Sequence, residues 1–198
     1  MSLTAAQAII AYNANHSVSP QVVTDNAANL ITSLTGLQTL KTANKLSSVT
    51  LTGTSNTTTA AQALSLAGLT GFVVGPGSTL VVADTAANLL LSANAAGVAK
   101  ATTVNLTGTS NTATAANATT LAGKPNFALA SGATLLVADS ATNLLLSANA
   151  SGVATATSVQ LTGSNTVTAT QATTLAAEPN FALASGATLI VADAGANL

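Results

Sequence analysis

The residues best placed to do chemistry in this chain of 198 residues are four aspartates, and all four occupy one recurring slot. Asp25, Asp84, Asp139 and Asp193 stand in the strings V-T-D-N-A-A-N-L, V-A-D-T-A-A-N-L, V-A-D-S-A-T-N-L and V-A-D-A-G-A-N-L. A carboxylate so placed has two uses. It can ligate calcium, or it can accept N–H bonds at the start of a helix. Calcium takes six to eight oxygens, usually from several carboxylates. Here each Asp is surrounded by Ala, Thr and Asn, and the glycine-aspartate nonapeptide of calcium-binding β-rolls is absent. The helix cap is therefore the expected role, and no cofactor is expected. Calcium is chemically possible but has no support in the sequence.

The other reactive side chains are few. His16, the single histidine, lies in N-A-N-H-S-V-S-P with no carboxylate close by in sequence, and reads as a solvated loop residue. A serine nucleophile needs a base and an orienting acid, and G-x-S-x-G does not occur. Neither a phosphate loop nor a dinucleotide fingerprint is present. The absence of cysteine removes disulfides, thiol catalysis and zinc-thiolate sites. Asn-x-Ser/Thr occurs at Asn15, Asn56, Asn105, Asn117 and Asn149, as a chain rich in Asn and Thr produces by chance. Phe72, Phe127 and Phe181 recur at one repeat position and read as a stacked core ladder. Thr50, Thr52, Thr107 and Thr162 form an outward polar face, interrupted by Asn105 and Gln160.

Composition narrows the class further. Charged residues make up 5% of the chain, against about 25% in an ordinary protein. Hydrophobic residues reach 48% and aromatics 2%, so the chain has material for a core and lacks the signature of disorder. Four lysines and no arginine leave nucleic acid without an electrostatic hold. A net charge of -1 favours association. No apolar run approaches the roughly 18 residues of a membrane span. The start, M-S-L-T-A-A-Q-A-I-I-A-Y, has no basic region before its apolar stretch and does not read as a signal peptide.

What positions these residues is a repeat. Asp84 to Asp139, Leu51 to Leu106 and Leu106 to Leu161 are each separated by 55 positions. Self-similarity at such a period signals a stacked architecture. Residues 1–24 fall outside it and read as an N-terminal helical cap or anchor, with Thr4-Ala5-Ala6-Gln7 as a capping box. Residues 25–46 are a partial repeat, followed by copies at 47–101, 102–156 and 157–198. In each copy, V-x-L-T is a strand, a Gly-Ser-Asn turn follows, and Thr59, Thr114 or Thr168 opens a helix. The Phe stretch then leads into a second strand, in which Leu135 and Val137 point inward. The Asp caps a second short helix, which Gly97 or Gly152 ends near its C′ position. The halves resemble each other, so the unit is a strand plus a short helix of about 27 residues. The expected fold is a repeat solenoid of parallel β-strands with short helices, an α/β solenoid; an all-β parallel β-helix is the alternative.

The opening T-A-A-Q-A-I-I-A-Y-N-A-N resembles the start of S-layer proteins exported by type I secretion. The repeats V-A-D-T-A-A-N-L-L and V-x-L-T-G-T are similar to those of secreted bacterial surface-layer proteins and adhesins. The resemblance implies an extracellular, cell-surface structural role, with an N-terminal segment that anchors to lipopolysaccharide or another surface glycan. The expected function is a non-enzymatic structural protein that self-associates into a surface layer, filament or adhesin stalk. The alternative is a glycan- or ice-binding module using a regular polar face. Ala196-Asn197-Leu198 matches Ala87-Asn88-Leu89, so an open last turn that docks head to tail on another copy is a further expectation.

Overall fold

Alanine-rich segments this short need help to stay helical, and four of them receive it at the first turn from a threonine. In the computed structural model, which describes residues 1–195, Thr4, Thr59 and Thr168 close reciprocal capping boxes with Gln7, Gln62 and Gln171. Thr114 caps one-sidedly, because the shorter Asn117 replaces Gln. The corresponding helices are α1 (Ala5–Ala14), α4 (Ala60–Ala67), α7 (Ala115–Ala122) and α10 (Ala169–Ala176). Between them lie α2 (Ala27–Thr32), α3 (Leu34–Thr42), α5 (Ala86–Leu90), α6 (Ala95–Val98), α8 (Ala141–Leu144) and α9 (Ala150–Val153). These helices remove the all-β alternative. The chain is α/β, with several parallel sheets and short helices.

The strands are β1 (Gln21–Asp25), β2 (Leu46–Leu51), β3 (Asn56–Thr58), β4 (Val73–Val74), β5 (Leu80–Asp84), β6 (Thr103–Leu106) and β7 (Asn111–Ala113). Then come β8 (Ala128–Leu129), β9 (Leu135–Asp139), β10 (Ser158–Leu161), β11 (Ser164–Val167), β12 (Ala182–Leu183) and β13 (Thr188–Val191). The expected Gly-Ser-Asn turn is present at Gly53, Gly108 and Gly163, which have positive φ, but the Asn that closes it already belongs to β3, β7 or β11. A buried Asn opens β3 and β7 and is the second residue of β11.

Two compact units divide the chain. The first comprises Met1–Asp84 and Leu91–Asn105, the second Thr85–Leu90 and the residues from Leu106 onward. In the first unit β1, β2 and β4 form a parallel sheet, and β3 pairs in parallel with β5. Its largest fully buried side chains are Leu30, Leu37, Leu40, Leu51, Leu66 and Leu80. In the second unit the strand order is β12-β10-β9-β7, and β11 pairs with β13, again all parallel. Leu89, Leu106, Leu121, Leu135, Leu161 and Leu175 are its fully buried leucines. Parallel neighbours need a long crossover; between β3 and β5, or β7 and β9, that crossover carries α4 or α7. Leu135 and Val137 point inward as expected, at 0% exposure.

Two glycines have a different role from the one expected. Gly97 and Gly152 lie inside α6 and α9, not beyond a helix end. A Cβ on Gly97 would stand 2.1 Å from the Leu64 backbone nitrogen of α4; on Gly152, 2.2 Å from that of Thr119 in α7. Glycine is there so that two helix backbones can touch. The helix after Asp84 or Asp139 ends earlier, at Leu90 or Leu144, and a 3-10 turn (Ser92–Asn94 or Ser147–Asn149) precedes α6 or α9. The phenylalanine ladder is also revised. Phe72 is buried at 4%, but Phe127 and Phe181 are half-buried, and the ring pair recorded among the described residues is Tyr12 with His16. Ala196-Asn197-Leu198, the basis of the end-docking expectation, lie outside the described residues.

Candidate functional site

A helix leaves its first N–H groups without intrahelical partners, and a buried N–H without an acceptor is costly. In this chain the N-cap side chain serves the third helical residue, as at Thr4 and Gln7. The amide of the first helical residue is served from elsewhere. Asp25 Oδ2 accepts from Ala5, Asp84 Oδ2 from Ala60, Asp139 Oδ2 from Ala115 and Asp193 Oδ2 from Ala169, each at 3.0 Å. Every Asp therefore accepts from the first amide of the helix that precedes its own strand. Towards the following helix, Asp25 and Asp139 sit one position before the N-cap, which is Asn26 or Ser140. There Oδ1 accepts from the next backbone amide at 2.9 or 2.8 Å, and from Asn29 or Asn143 Nδ2 at 2.7 Å.

The intervening helices α2, α5 and α8 are completed by asparagine. Asn56 Oδ1 accepts from Ala27 N at 2.8 Å, Asn111 Oδ1 from Ala86 N at 2.8 Å, and Asn165 Oδ1 from Ala141 N at 2.7 Å. The amide end of each faces carbonyls. Asn56 Nδ2 donates to Thr52 O, Gly53 O and Thr79 O at 3.1, 2.8 and 2.9 Å. Asn111 Nδ2 repeats this with Thr107, Gly108 and Thr134 at 2.9, 2.9 and 3.0 Å. Asp and Asn thus alternate along the chain in one structural role. Asp serves the helices of 8 or 10 residues, and Asn those of 6, 5 and 4 residues. A full negative charge suits the larger dipole of the longer helix.

Sequence reading found the aspartates and missed Asn56, Asn111 and Asn165. The signal was present: each stands 28 positions before the next Asp. It was hidden because Gly-Ser-Asn-Thr has the composition of a turn.

The remaining sequence candidates are dispersed. His16 is exposed, its ring edge-on to Tyr12 at 4.6 Å and 63°. Among the described residues no group of three or more His, Cys, Asp or Glu could hold a metal ion, and no helix is long and apolar enough to cross a membrane. Shallow grooves lie beside α2 (Asn26–Ala28 against 53–57) and α5 (Thr85–Ala87 against 108–112). The first amide of each helix there is already taken by Asn56 or Asn111, so the grooves present no open anion cradle.

The outward faces of the sheets mix hydroxyl and aliphatic residues. Thr57 pairs with Val81, Thr50 with Val73, and Val22 with Ser48 in the first unit. In the second, Thr112 and Ser158 flank Leu136, and Thr166 pairs with Ile190. Hydroxyl residues also neighbour one another, Thr24 beside Thr50 and Ser164 beside Thr188, and none of these positions is charged. Comparison with models of protein families, with curated proteins and with solved structures finds no match to this chain.

Proposed function

We propose that this chain is an α/β solenoid segment of a secreted bacterial cell-surface protein, a structural element of a surface layer, filament or adhesin stalk that acts by self-association rather than catalysis. The observation that carries this reading is the alternating cap. All four aspartates, of five acidic residues in the chain, accept backbone amides of a preceding helix. Acidic chemistry is committed to joining one strand-helix layer to the next, as an extended stack requires. The surface left over is rich in Thr, Ser, Asn and Ala and nearly free of charge, which opposes association only weakly. The N-terminal segment, with its resemblance to S-layer openings, would anchor the assembly to lipopolysaccharide or another surface glycan.

Ice or glycan recognition through a regular polar face is the less favoured reading. A regular threonine lattice needs hydroxyls along whole rows, whereas Val81, Leu136 and Ile190 each stand beside a threonine in its row. Electron micrographs of the purified chain, with sedimentation velocity over a concentration series, test the proposal. Ordered sheets, filaments or concentration-dependent oligomers are expected. A chain that stays monomeric at the highest soluble concentration and leaves no assemblies on the grid would overturn it.

A further inference from the structure

We draw no further inference here: the strongest candidate, the groove between α1 and α3 lined by Tyr12, Thr35, Gln38, Thr39, Thr42 and Ala43, carries no proposal, because nothing in the structure shows what covers it.

Discussion

At the scale of single residues, Asp and Asn do one job with opposite surroundings, and this makes them poor substitutes for each other. Asn111 faces three carbonyl oxygens with its amide group. Asn111→Asp would turn a carboxylate oxygen towards those carbonyls inside a buried pocket, with an expected loss of about 3–5 kcal/mol. Asp139→Asn is milder, since one oxygen still reaches Ala115; the new amide would instead meet the Ser140 and Asn143 donors, for a loss of about 1–3 kcal/mol. Asp139→Ala removes three accepted bonds that tie two segments together, and should cost about 2–4 kcal/mol, more than the loss of a simple N-cap. Urea melts of the three variants check the ranking. Thr58 supplies a change of opposite sign. Its hydroxyl is buried without a hydrogen-bond partner, and the corresponding position in the third copy is Val167. Thr58→Val should stabilise by about 1 kcal/mol, readable as a raised urea midpoint.

At the scale of elements, the tightest constraint is the contact of α6 with α4 and of α9 with α7. Gly152→Ala would press a methyl group onto the backbone of Ala118 and Thr119. Backbone cannot rotate aside, so the helices must separate, at a cost of about 3 kcal/mol or more. Gly36→Ala in α3 is the contrast: there the new carbon meets the Ile9 side chain at 2.5 Å, which can turn away, while alanine favours helix by about 1 kcal/mol. Thermal melts should show a large drop for the first and a small change for the second. The phenylalanines divide likewise. Phe72→Ala should cost about 3–5 kcal/mol, and the half-buried Phe127 and Phe181 distinctly less.

Much at this scale was readable from the sequence. Helices opened by Thr-x-x-Gln were legible because a capping box is local chemistry. Inward Leu135 and Val137 were legible because alternation is local as well. The strands β3, β7 and β11 were not, because they have only three or four residues and owe their extension to β5, β9 and β13, which follow more than 20 positions later. The glycines in α6 and α9 were misread for the same reason. A glycine that ends a helix and a glycine that admits a neighbouring backbone look alike until the neighbour is known. Asp25 and Asp139 were found in the right slot, but the helical backbone amide each accepts from belongs to the preceding helix, whereas sequence proximity favours the helix that follows.

At the scale of the whole molecule, nine charged side chains serve 198 residues, and the partners recorded for Asp25 and Asp139 are N–H groups. Screening acts on exposed ion pairs separated by water. Chemical stability should therefore vary little between low and molar sodium chloride, a result that melting curves across a salt series would record. A marked loss at high salt would mean that surface ion pairs contribute to stability.

The forward reach of the caps also sets an order in time. Ala5 waits for Asp25, Ala60 for Asp84 and Ala115 for Asp139, the last two after 24 further residues. The acceptor always lies later in the chain than the helix it completes. A polypeptide that emerges N-terminus first, from a ribosome or through a narrow channel, therefore finishes each helix only when the next strand has arrived. On emergence in that order, each such helix would gain its last acceptor one layer late.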